Sequence, residues 1–222
     1  LFWMVLIVGI VALIGSCAKK DEETAATAAA DNTTSTDNTT STTSYISTTT
    51  TASGSITMGD DTLSGVYASE CLTSASTIAF FKATGFWASE VNAYGQVFVV
   101  TGSDNISIEL YAFTDTSCSN LSQSQKTVSD NVTVGSASGS NYPVTYNNQT
   151  QAITVHTTAA ETALETLYSN ALDFIVGTPI ELPVSGSGLR YGLWTLSGTT
   201  WYEASSSSAT PTSAGTVPHV KQ

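Results

Sequence analysis

Positive charge and chemically reactive side chains are both scarce in this chain. Six Lys and Arg stand against eighteen Asp and Glu in 222 residues, a formal net charge of −12. Such a surface repels phosphate backbones, which argues against a nucleic-acid partner. There are two His, His156 and His219, and neither stands in a metal-ligand spacing such as HExxH. CxxC is missing, so neither a redox motif nor a zinc knuckle is supported. Ser185-Gly186-Ser187-Gly188 lacks the outer Gly of a nucleophile elbow. Asp60-Asp61 lacks the alternating oxygen ligands of a calcium loop and reads as a solvated acidic turn. Glu70, beside Cys71, reads as a polar residue, a catalytic role being the alternative. No metal, cofactor or enzymatic activity is expected.

What the chain has in plenty comes first. Residues 1–16 carry no charge, are mostly apolar, and lead into Ile14-Gly15-Ser16-Cys17. Spanning a bilayer as a helix takes about twenty apolar residues, and this run is shorter. It resembles the lipobox of bacterial lipoproteins, with an aliphatic residue, two small residues and Cys. The resemblance implies a signal peptide over 1–16, cleavage before Cys17, and palmitate-type acyl chains on the thiol and the new amino group. Two or more chains hold a protein firmly at a membrane, where one binds reversibly. An uncleaved membrane anchor is the alternative. Ala18 implies sorting to the outer membrane, on its periplasmic or surface face. Lys19 and Lys20 follow, placed either to meet anionic head groups or simply solvated in a tether. With Cys17 acylated, Cys71 and Cys118 remain as an even pair in an oxidising compartment, and a disulfide between them is expected. Two buried free thiols are the alternative.

Residues 17–55 are rich in Thr, Ser, Ala, Asn and Asp, with almost no large apolar side chain. Such a segment cannot offset the entropy of ordering and reads as a disordered tether. Asn32-Thr33-Thr34 and Asn38-Thr39-Thr40 match the glycosylation sequon, as a Thr-rich tract does by chance. Short strands are expected from there on: 62–69, 76–82, 96–101 and 106–113, the last two joined by Gly102-Ser103-Asp104-Asn105 as a hairpin turn. In 106–113 Ile106, Ile108, Leu110 and Ala112 share one face; Ser107, Glu109, Tyr111 and Phe113 share the other, so neither face is fully polar. Further strands are expected at 128–134, 142–146 and 151–156. A helix over 159–172 is signalled by Thr158 with Glu161 as a capping box, and by a stripe of Ala160, Leu164, Leu167, Tyr168, Ala171 and Ile175. Residues 189–196 and 199–204 form a tight hairpin that brings Trp194 near Trp201. Residues 205–222 read as an extended tail.

The expected fold is mainly β: an antiparallel barrel of about eight strands over 56–204 with one late α-helix, a β-sandwich being the alternative. The order Gly65-Val66-Tyr67-Ala68-Ser69-Glu70-Cys71, Tyr111, Asp115, Cys118, Leu189-Arg190-Tyr191-Gly192 and the closing VPHVKQ resembles uncharacterised bacterial lipoproteins with a lipocalin-like barrel. The resemblance implies a disulfide near the open end. In a barrel of this size the interior either fills with side chains or holds one small ligand. Tyr67, Phe98, Tyr111, Trp194 and Trp201 are the candidate lining of a pocket for a small apolar or aromatic molecule; the other reading is a packed core. Function is accordingly expected to be that of a lipid-anchored, non-enzymatic binding or structural module of the bacterial envelope. Its partner would be the membrane and an envelope protein or small ligand. A ligand carrier is the second reading, and an envelope hydrolase the third.

Overall fold

The computed structural model describes residues 45–184 and 188–222. Cys17, the segment read as a leader and most of that read as a tether lie outside the described residues. Eleven strands and two helices are described: β1 (Ile56–Met58), β2 (Asp61–Leu63), β3 (Val66–Ala68), α1 (Ala75–Ala83), β4 (Ala93–Val100), β5 (Ile106–Phe113), β6 (Leu121–Val134), β7 (Asn141–Val155), α2 (Thr158–Leu167), β8 (Pro179–Leu182), β9 (Leu189–Ser197), β10 (Thr200–Ser206) and β11 (His219–Lys221).

Eight strands close an antiparallel barrel in the order β3-β4-β5-β6-β7-β9-β10-β11, with β11 pairing back onto β3. The fold is mainly β and consistent with a lipocalin-like barrel. β7 is long enough to serve two neighbours on one side. Its first half pairs with β9 through Asn147↔Leu189, and its second half pairs with β8 from Gln151↔Leu182. Cys71 and Cys118 form a disulfide with their Cα atoms 5.8 Å apart, clipping the loop after β5 to the segment before α1.

Five sequence expectations need correction. Residues 76–82, read as a strand from their β-branched and aromatic content, form helix α1. Ser74 caps it, its hydroxyl oxygen accepting from Thr77 N–H at 3.5 Å. Propensity yields here to burial of Phe81 in a cluster with Phe86 and Trp87 that plugs one end of the barrel. Residues 62–69 are not one strand. Gly65, at φ +93°, lets the chain turn between β2 and β3. The late helix is capped by Thr157 rather than Thr158 and stops at Leu167. Ser169 and Asn170 are both left-handed and unwind the chain there, leaving Ile175 55 % exposed.

The fourth correction concerns the tether. Residues 45–53 form a strap across the outer face of β4 and β5. Ile46 N–H donates to Ser69 C=O at 3.2 Å and Ser53 N–H to Val100 C=O at 2.9 Å. The Ile46 side chain lies where a Cβ on residue 95 would be, so only Gly95 admits it. The strap covers Val97, Val99 and Phe113, which is why the second face of these strands is not polar. Last, the segment expected as a tail supplies β11, which completes the barrel with His219 buried on its inner face.

Candidate functional site

Strand alternation divides the barrel interior into three layers. On β4 the inward residues run Tyr94, Gln96, Phe98; on β7 they run Tyr146, Asn148, Gln151, Ile153. Tyr94 and Ile153 belong to the apolar cluster under α1 and α2. Phe98 and Tyr146 belong to a second cluster, closed by Ile56, Met58 and Leu63 of the β1–β2 hairpin. Between them lies a polar belt around a cavity of about 60 Å³. That is room for on the order of four water molecules.

Among the described residues three charged ones border the belt, and one of them, Glu109, turns its carboxylate outward to Thr48, Thr50 and Tyr111. Glu203 of β10 and Arg190 of β9 both face the cavity. Burial pushes the Glu203 carboxyl up to about 7, against the pull of the Ser205 and Tyr146 hydroxyls and the Arg190 charge. Burial likewise lowers the Arg190 guanidinium and raises the Tyr146 phenol. Glu203 Oε1 has no hydrogen-bond partner among the described residues. Next to the belt, His219 pairs through Nε2 with Gln96 Oε1 at 3.2 Å and packs edge-on against Phe98. Its burial holds the imidazole down to about 4.

Four of the five candidate pocket residues come together. Trp201 packs against Tyr67, Phe98 and Trp194 at ring-centroid distances of 5.6, 4.5 and 4.9 Å. They fill their end of the barrel, and of the four only Phe98 lines the cavity. Tyr111 is elsewhere. It points outward, donates its hydroxyl to Glu109 at 2.5 Å and stacks beside Phe113.

Sequence reasoning missed Arg190 and Glu203. A signal was present. Once the hairpin turns Trp194 and Trp201 inward, period-two alternation carries Arg190 and Glu203 to the same side. Glu203 sits directly across from Trp194 in the observed register.

Outside the barrel a second hollow, of about 430 Å³, runs between the strap and Pro179 of β8. Its floor is the outer face of β5, β6 and β7. There Ser124 and His156 Nε2 share a hydrogen bond of 3.1 Å, and desolvation lowers the His156 pKa. Glu109 is 3 % exposed. It accepts from the hydroxyls of Thr48, Thr50, Ser107 and Tyr111, while Lys126 Nζ lies 3.9 Å away and donates to Thr50. Asp60 is exposed in the β1–β2 turn, and Asp61 accepts from the Tyr142 hydroxyl at 3.3 Å.

No protein-family model matches the chain, and no curated protein matches its sequence. The described residues contain no helix long and apolar enough to cross a membrane, and no group of three or more His, Cys, Asp or Glu placed to hold a metal.

Proposed function

We propose that this chain is a bacterial envelope lipoprotein, held at the membrane by lipid on Cys17, whose barrel is a non-enzymatic binding module. The observation that carries the binding role is Glu203. A carboxyl with one unpartnered oxygen, beside a buried guanidinium, is costly to keep in a protein interior. A barrel serving only as scaffold is expected to fill that layer with apolar side chains. Instead the belt offers amide, hydroxyl and charged groups around a small chamber. The ligand this favours is small and polar. An apolar or aromatic guest would have to displace Trp194 or Trp201 from packed positions.

The anchoring half of the reading rests on the lipobox-like Ile14-Gly15-Ser16-Cys17 and the Thr/Ser-rich stretch after it. The strap supports it, since the chain arriving from Cys17 is clamped to the barrel wall from Tyr45 onward. The lipid-bearing segment therefore joins a rigid body.

Titration of the purified protein with urea, glycerol and glycine, read by carbon-13 NMR of the Glu203 carboxyl, tests the binding role. A saturable shift is expected, and in Glu203→Leu the same titration should leave the backbone amide signals of Gln96 and Ser205, which also line the chamber, unmoved. A carboxyl signal indifferent to all three probes refutes a ligand in the barrel. Mass spectrometry of protein from native membranes tests the anchor separately. It should find acyl mass on a peptide beginning at Cys17; an intact leader with an unmodified thiol removes it.

A further inference from the structure

We infer that the outer hollow between the strap and β8 is a binding site for an uncharged saccharide. It is walled by Ser47–Thr50 on one side and Pro179 on the other, and its volume of about 430 Å³ lies within the roughly 300–1,000 Å³ of small-ligand sites. It is separate from the barrel interior and does not depend on a ligand there.

Three observations select the ligand. The first is the pattern of the lining. Thr49, Ser124 and Thr154 line it together with Tyr111, Leu121 and Ala152. A hydroxyl both donates and accepts. A pyranose presents the matching surface, with hydroxyls at its edge and C–H groups on its faces.

The second is charge. The Glu109 carboxylate is taken up by four hydroxyl donors beneath the strap, and Lys126 stands beside it on Thr50. His156 is hydrogen-bonded to Ser124, and desolvation disfavours its charged form. Opposite charges are thus balanced within the hollow, and an ionic ligand would bring an uncompensated charge against one of them.

The third observation disfavours an extended peptide. Strand addition needs an unpaired edge; β5, β6 and β7, which form the floor, are each paired on both sides, and β8 at the wall is an edge strand that meets the hollow with Pro179, which has no N–H to offer. Only side chains are on offer there, which suits a ligand recognised through its own hydroxyls.

The experiment uses the purified protein with N-acetylglucosamine, methyl glucoside and cellobiose. Glucosamine and glucuronate serve as cationic and anionic counterparts. Binding is followed by saturation-transfer NMR and calorimetry. At least one neutral sugar should bind saturably, tenfold or more tighter than both charged ones. Ala152→Phe puts a ring on the floor and should abolish binding. Ser124→Ala removes one hydroxyl without adding bulk, and should weaken binding threefold or more even if the first variant fails to fold. The inference is overturned if no neutral sugar saturates, if a charged sugar binds as tightly, or if folded Ala152→Phe binds as the parent does.

Discussion

Thr48 donates its hydroxyl to Glu109 at 2.6 Å across a separation of 61 residues, so the Thr-rich lead-in is fastened to the wall of the barrel by a buried carboxylate. Glu109→Gln replaces one acceptor oxygen with an NH₂ group where the hydroxyls need an acceptor. A loss of about 1–3 kcal/mol is expected, read as a lower urea midpoint, together with faster proteolysis within residues 45–53. Gly95→Ala should free the same strap by a different route, since its Cβ would overlap Ile46; overpacking of this kind costs about 1–3 kcal/mol. If neither variant exposes the strap to protease, the clasp does not hold it.

Glu203 and His219 should bend the pH dependence of stability in opposite senses. The Glu203 carboxyl is raised from 4.5 to about 7 in the folded state. Its stabilising contribution is complete below about 4.5 and is lost as pH rises through about 7. The His219 imidazole is lowered from 6.5 to about 4, so its contribution is complete above 6.5 and is lost as pH falls toward 4. Each is worth on the order of 3 kcal/mol across its window. The two slopes oppose between 4.5 and 6.5 and largely offset one another there. Glu203→Gln should then gain stability with rising pH, and His219→Gln should lose it. Denaturation midpoints between pH 4 and 8 decide; variants that run parallel to the parent contradict the assignment.

The Cys71–Cys118 bridge spans a separation of 47 residues, and closing such a loop stabilises by about 4 kcal/mol in the chain-entropy model. Domains commonly have about 5–15 kcal/mol in all, so the reduced protein should remain folded with little margin. Guanidinium unfolding with and without dithiothreitol measures this. An unchanged midpoint would mean that the bridge constrains nothing.

Trp201 touches Tyr67, Phe98, Trp194 and His219 in one aromatic cluster. Trp201→Ala should cost about 3–5 kcal/mol and remove much of the near-ultraviolet circular dichroism. Tyr111→Phe, on the outside, should leave that spectrum as it is. Equal spectral losses from the two would place Tyr111 inside after all.

Much of the fold was written in local pattern. Alternation along 106–113 and the turn quartet before it foretold the β4–β5 hairpin, and the Ser197-Gly198 signal foretold the meeting of Trp194 and Trp201. Helix α1 was also legible, though through other letters: the Ser74 cap and Gly85 beyond its end mark a helix that β-branched content obscured. The strap and β11 were not, because nine mostly polar residues and a three-residue strand give no period to detect. Their anchors are a notch at Gly95, the Glu109 carboxylate and the open edges of β3 and β10, none of them close in sequence.

By itself, then, the order of residues determined that this would be a β protein, with paired strands of known face and an even pair of cysteines beside Cys17. Which of those faces turned inward, and what it met there, was decided only by closure. Arg190, Glu203, Tyr146 and Gln96 come from four strands, and a polar belt exists only when the strands are held in one register. Alternation is a property of neighbours along the chain, whereas a chamber is a property of residues brought together across it.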